Sequence, residues 1–303
     1  MSRPSHLELH RYRRRQDLPR LLAFCSAVTV ARAPSRPTWH PGDLIWQLRG
    51  HFDVAHALYA VVSGDAVVGA LWFQGEDLLL DVLPDDGSLL PQVLSAAIEK
   101  ARRAGSARLT SSVADEDSER QATLAAVGFS CVGPGGVRFE RDLTNAPPVA
   151  PHAAGFRLRD CVGIDPEARA QVHRAAWSAL EHIGITAVSP FSASDYLSLT
   201  TGGAYDPRFD IVAEASDGRL AATATAWADP VSRAAVFEPV GVDPEYRGAG
   251  LIAAVMTEAM VRLAEAGMHK ARVGTAHFNT AAIAAYAKAF DRAGSTSIWS
   301  RPL

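Results

Sequence analysis

Cysteine is scarce in this chain. Cys25, Cys131 and Cys161 are widely spaced, odd in number and never form a C-x-x-C pair. That excludes a disulfide framework and a thiolate metal site, and leaves three small apolar residues in a reducing compartment. Histidine is scattered without ligand spacing, so no metal is expected. Lysine is confined to Lys100, Lys270 and Lys288, a compositional bias towards arginine. Charge of one sign is missing as well: 30 basic and 33 acidic residues give a net charge of −3. So small a charge draws in neither nucleic acid nor anionic lipid, and neither is an expected partner. No apolar run approaches the roughly 20 residues that span a bilayer. The first 16 residues are polar and carry no signal-peptide core, so the expected location is cytoplasmic. The arginines from Arg11 to Arg15 read as a solvated strand end, not a targeting segment.

What remains is the composition of a globular protein, 48% hydrophobic and 21% charged. Its 303 residues exceed the usual single-domain size, and two domains of about 150 residues are expected. The Pro- and Ala-rich stretch 146–155 has no periodicity and divides the chain into 1–145 and 156–303. Both parts follow one plan. A turn and an apolar strand ending in Trp72 match a turn and strand ending in Trp227. Val82-Leu83-Pro84 matches Val242-Asp243-Pro244. Each is followed by a helix ending in Ala-Gly, at Ala104-Gly105 and Ala266-Gly267, then by a short strand and a helix reaching Phe129 or Phe290. Chance alignment of Ala-rich helices is the alternative.

In the second part, strands are expected at 156–161, 209–214, 220–228, 234–242, 271–276 and 296–299. Helices are expected at 165–180, with Asp165 as cap and Pro166 at the first position, and at 192–200, 250–266 and 279–290. The 250–266 helix buries Ile252, Val255, Met256, Ala259 and Leu263, and turns Thr257, Glu258, Arg262 and Glu265 to water. The fold class is α/β with a mixed (α+β) sheet.

The most informative segment is 236–252. An apolar strand ends in Val240, Gly241 and Val242, a tight Asp243-Pro244 turn follows, and Arg247, Gly248, Ala249 and Gly250 lead into an amphipathic helix at Leu251 and Ile252. That order sets backbone N–H groups at a helix N-terminus, where helix dipole and unpaired donors suit a phosphorylated ligand. Gly248 and Gly250 supply dihedrals closed to other residues. Gly248-x-Gly250-x-x-Ala253 also satisfies a loose dinucleotide fingerprint. Five residues separate strand from first glycine, however, and strand 271–276 offers no acidic residue for a ribose. A P-loop is excluded because no Lys-Ser/Thr follows. A plain strand-turn-helix is the remaining alternative.

The segment resembles the acyl-CoA-binding motif of the GCN5-related N-acetyltransferases, the GNAT family. The family pattern Gln/Arg-x-x-Gly-x-Gly/Ala falls on Arg247, Gly250 and Ile252. The first two match, whereas Ile252 replaces a small residue and either crowds the cofactor or turns into the core. The second half has the family's element order, and the pattern Asn-x-x-Ala-x-x-x-Tyr is met by Asn279, Ala282 and Tyr286. The resemblance implies two GNAT-like domains in tandem. It also implies acetyl-CoA as co-substrate and direct acetyl transfer to a primary amine of a small molecule or peptide by the second half. The backbone at Val240, Gly241 and Val242 would hold the pantetheine arm and acetyl oxygen, with a bulge there freeing an N–H. Residues 247–252 and Asn279 complete the cofactor site. Tyr286 would protonate the leaving thiolate, its alternative being core packing. Glu238, flanked by Phe237 and Pro239, is the candidate general base, its alternative an outward-facing strand carboxylate. His277 is the second candidate base. Trp177, Tyr196 and Trp227 line an acceptor pocket or belong to the core.

In the first half the corresponding loop, 82–90, is about two residues shorter. It has no Arg-Gly-x-Gly and places Asp85 and Asp86 where a diphosphate would sit. The helix 89–104 still has an apolar face of Leu90, Val93, Leu94, Ala97, Ile98 and Ala101. A degenerate, supporting copy is expected, with the aromatic-rich segment 39–52 either core or part of an acceptor surface. A non-catalytic acyl-CoA-binding or regulatory protein on the same scaffold is the alternative function.

Overall fold

The computed structural model describes residues 7–13, 15–32, 39–49, 57–85, 87–145, 153–178, 180, 183–184, 186 and 189–303. The chain forms two compact units. Unit one comprises Met1–Pro41, His51–Gly136 and Gly294–Leu303; unit two comprises Gly42–Gly50 and Val137–Ala293.

Unit one contains β1 (Leu7–Arg11), α1 (Leu18–Ala31), β2 (Leu58–Ser63), β3 (Ala66–Gln74), β4 (Asp77–Val82), α3 (Leu89–Arg103), β5 (Arg108–Ala114) and α4 (Ser118–Ala126). It also holds the start of β6 (Ser130–Asp142) and most of β12 (Asp291–Pro302). The strand order is β1-β2-β3-β4-β5-β12-β6. Helix α3 buries Leu89, Val93, Leu94, Ala97, Ile98 and Ala101 against this sheet. That is the expected apolar face, with Leu89 in place of Leu90 as its first buried residue.

Unit two contains α2 (Pro41–Leu48, from Gly42 onward), the end of β6, β7 (Phe156–Asp160), α5 (Pro166–Ala176), α6 (Ala193–Thr200), β8 (Asp210–Ala215), β9 (Leu220–Asp229), β10 (Ala234–Val242), α7 (Leu251–Glu265), β11 (Lys270–Ala276) and α8 (Thr280–Tyr286). Its order is β6-β11-β10-β9-β8-β7. The pairs β7–β8, β8–β9 and β9–β10 are antiparallel and β10–β11 is parallel, which makes the sheet mixed. Asp165 caps α5 by accepting from the amides of Glu167 and Ala168, and Pro166 stands at the first helical position, as the sequence predicts. Helix α7 buries Leu251, Ala254, Val255, Met256, Thr257, Ala259, Met260 and Leu263. Thr257 therefore departs from its expected place in water: the apolar face is wider than the period alone suggests. Under the sheet, Arg169 and Asp210 are both buried and joined by two hydrogen bonds of 3.0 Å, with Thr225 bonded to each.

The units differ from the sequential division expected at 146–155. Residues 146–152 lie outside the described residues, as do Gly50, His51 and Phe52 of the aromatic segment. The closing strand joins unit one, because Thr296–Pro302 run antiparallel to Ala114–Arg108 of β5. Conversely, Gly42–Gly50 belongs to unit two, where Gly42 sits so close to Trp227 that an added Cβ would overlap the indole's own Cβ. Among the described residues, no helix is long and apolar enough to cross a membrane.

Candidate active site

All residues expected to act lie in unit two, and strand β10 organises them. Its pairing with β9 slips between Phe237 and Val240, so the bulge falls at Glu238-Pro239 and not at 240–242. Pro239 explains the position, since a residue without an N–H interrupts the ladder. Trp227, fully buried on β9, donates its indole N–H to the Glu238 carbonyl and fixes the bulge. Beyond it, Val240, Gly241 and Val242 pair regularly with Ala224, Thr223 and Ala222.

The other edge of β10 is open. The parallel ladder with β11 covers only Ala234–Val236 against Lys270–Arg272 and then stops. The Asp243 amide donates to Ala221 at 2.9 Å, towards β9. Because amides alternate along a strand, those of Val240 and Val242 point the opposite way, towards the gap that β11 leaves. The gap ends at the N-terminus of α7. Gly248 and Gly250 have φ of +88° and +75°, and a Cβ on either would meet nothing within 4 Å. Among the described residues, the amides of Gly248, Gly250, Leu251, Ile252 and Ala253 have no backbone partner; the first helical bond runs from Ala254 to Gly250. Two expected donors are already engaged, the Arg247 amide with Pro244 at 3.3 Å and the Ala249 amide with Tyr246 at 3.4 Å. The Ile252 side chain is partly buried and packs against the core. A phosphorylated carrier with an amide-bearing arm fits these groups: free helix amides for the diphosphate and an unpaired strand edge for the arm.

Asn279 caps α8, its side-chain oxygen accepting from the Ala282 amide at 3.2 Å, which leaves only its NH2 group for a ligand. Tyr286 closes that helix, 8% exposed and edge-on to Phe139 with centroids 6.0 Å apart. Burial, with a smaller contribution from Glu238, raises the phenol above its ordinary range. Tyr286 and Glu238 are thus close enough for their charges to interact. Burial, then the neighbouring Asp43, pushes the Glu238 carboxyl up to about 8, with Arg49 opposing them. Gln47 donates to Glu238 Oε1 at 3.5 Å.

Asp43, Gln47 and Arg49 come from α2 and the residue after it, nearly two hundred positions earlier in the chain. The sequence marked their stretch, 39–52, as core or acceptor surface without singling out these three residues, whose only signal was polar side chains spaced among the aromatics. The other aromatic candidates separate. Trp227 is core, and Tyr196 is buried with its hydroxyl on Tyr205 at 2.7 Å. Trp177 is half-exposed and stacked on His173 at 4.3 Å. His277 is exposed, with its ring edge-on to Phe278. Among the described residues, no three His, Cys, Asp or Glu side chains gather to hold a metal ion.

In unit one, Asp85 occupies the matching helix end. Its carboxylate accepts from the amides of Gly87 and Leu89 at 3.0 and 2.9 Å and from the Ser88 hydroxyl at 3.1 Å. Asp86 lies outside the described residues. One position before the end of β4, buried Asp81 is held by Arg32 and Arg120 at 3.2 and 3.3 Å.

Residues 176–291 match the acetyltransferase (GNAT) family. Comparison with curated proteins gives no match. Among solved structures, a GCN5-related N-acetyltransferase from Sphaerobacter thermophilus superposes with a TM-score of 0.59 at 17% identity, covering 99% of this chain and 97% of that one. A tandem GNAT protein from the clavulanic acid biosynthesis pathway gives 0.59 at 19% identity, with 98% of each chain covered. A GNAT-family acetyltransferase from Colwellia psychrerythraea gives 0.55 at 15% identity, covering 98% of this chain and 99% of the other. These likenesses extend over the whole chain and show its fold to be two GNAT domains in tandem. The family match takes in β10, α7, β11 and α8, the elements that carry the candidate site.

Proposed function

We propose that unit two transfers an acetyl group directly from acetyl-CoA to a primary amine of a small molecule or peptide. The observation that carries this reading is the opened edge of β10, which ends at five unpartnered amides around the start of α7. Bound acetyl-CoA would supply an activated thioester. The amides of Gly248, Gly250, Leu251 and Ile252 bind the diphosphate, and those of Val240 and Val242 orient the arm and polarise the acetyl carbonyl. Arg247, exposed beside them, adds positive charge. Glu238 takes a proton from the attacking ammonium; a carboxyl titrating near 8 is matched to that task at neutral pH. As the C–N bond forms and the C–S bond breaks, Tyr286 gives its proton to the departing sulfur, and the proton shed by the new amide nitrogen restores the phenol. The raised pKa keeps the phenol protonated at neutral pH, so the donor is present when the sulfur departs.

Unit one serves as a supporting copy in this reading. Asp85 already fills the helix end that a diphosphate would need, and the buried Arg32–Asp81–Arg120 group lies at the counterpart of Gly241. The test is release of free thiol from acetyl-CoA in the presence of amine mixtures. Thiol release that depends on amine and is lost in Gly250→Glu supports the reading; binding without turnover across a broad panel would instead favour a non-catalytic acyl-CoA-binding protein.

A further inference from the structure

Among the described residues, Arg49 has no counter-ion in contact, and Glu238 and Asp195 act on it through charge alone. Its guanidinium is half-buried, lies over the Trp46 ring at 3.9 Å and donates to the Trp46 carbonyl at 2.6 Å. The two acidic groups whose charges it feels are otherwise employed. Asp195 accepts from the Ser192 amide and hydroxyl in the cap of α6, at 2.8 and 2.7 Å. Glu238 is bonded to Gln47. Burial, the largest influence, lowers the guanidinium from its ordinary range, the sign of a cation short of compensation. His173 gives no help: burial, with Arg169 and Arg49, pulls it down to about 3, so it is neutral and adds no charge.

The opposite pole lies alongside. Asp43 and Glu238 are close enough to raise the latter's carboxyl, and Asp43 also acts on Arg272. Two carboxyl groups with the Gln47 amide suit an ammonium, and a planar guanidinium on the same short segment suits a carboxylate through paired hydrogen bonds. An amine without a carboxylate would leave the half-buried Arg49 without an anionic partner; a zwitterion would satisfy both poles at once. Resting on the acetyl-transfer reading above, we propose that the acceptor is an amino acid or a similar small amine with a carboxylate beside its amino group, and that Arg49 binds that carboxylate while Glu238 receives the amine.

The experiment compares matched acceptors that differ only in the carboxylate, alanine against ethylamine and phenylalanine against 2-phenylethylamine, by thiol release from acetyl-CoA. The wild type should favour the acid-bearing member of the better pair by about 100-fold in kcat/KM, chiefly through KM. Arg49→Gln should collapse that ratio to near one, and Arg49→Lys, which keeps the charge but not the fork, should retain an intermediate ratio. Thermal melting of both variants checks that they fold; if Arg49→Gln does not, the ratio in Arg49→Lys decides. Equal rates within each pair, or a ratio unchanged by the substitution, overturn the proposal while amine acetylation itself stands. Absence of thiol release with every amine overturns both.

Discussion

Gly241 lies directly beneath Trp177: a Cβ added to the glycine would stand 2.5 Å from the indole ring and 2.6 Å from the Ala176 Cβ. The close approach lets the end of α5 rest on the strand whose outer edge is open. Gly241→Ala should therefore cost about 1–3 kcal/mol by overpacking and shift β10 enough to lower turnover. Denaturant unfolding of Gly241→Ala, Trp177→Ala and the double variant checks this. Part of the glycine's cost should vanish once the indole is gone.

In the proposed mechanism the raised Glu238 carboxyl sets the pH dependence. As a base it works only when ionised, so the rate should climb about tenfold per unit below pH 8 and level off above it, and Glu238→Gln should remove that inflection. Stability should move the other way. A carboxyl that holds its proton more tightly when folded binds more protons in the native than in the unfolded state between the ordinary carboxylate range and about 8. Its contribution is therefore complete at acid pH and lost as pH rises through 8. Urea unfolding at pH 5 and pH 9 should show Glu238→Gln gaining on the wild type at the higher pH.

Tyr286 is buried against Phe139, and its hydroxyl has no hydrogen-bond partner among the described residues. Tyr286→Phe should leave stability within about 1 kcal/mol yet lower kcat about 10- to 100-fold, with acetyl-CoA affinity kept. Full turnover in this variant would remove the phenol from the mechanism.

The Arg169–Asp210 pair supports the sheet from below and touches none of the residues assigned to chemistry. Asp210→Asn leaves a buried guanidinium without its charge partner and should destabilise by about 3–5 kcal/mol. Thermal melting of the variant reads the loss directly.

Much of the second unit was legible because its signals are local. Asp165-Pro166 fixes the start of α5, Gly248 and Gly250 take the left-handed conformations that only glycine adopts freely, and Asn279 caps α8 as expected. What escaped was long-range. Nothing in the neighbourhood of Thr296 says that it will pair with Ala114 of the first unit, and nothing near Arg49 says that its charge will act on Glu238. The exact donors were also illegible: whether the amides of Arg247 and Ala249 stay free depends on a turn at Pro244–Tyr246 that period and composition leave undefined. Pro239 did carry a local signal for the bulge, placed two residues too late in the expectation.

The most direct test of the central claim is titration of acetyl-CoA into the whole protein by calorimetry, with Gly250→Glu alongside. The unpartnered amides at the start of α7 predict one molecule bound per chain, in about the micromolar range, and at least about 30-fold weaker binding in Gly250→Glu, where a carboxylate would confront the diphosphate. No heat with the wild type, or equal affinity in the variant, would contradict the account.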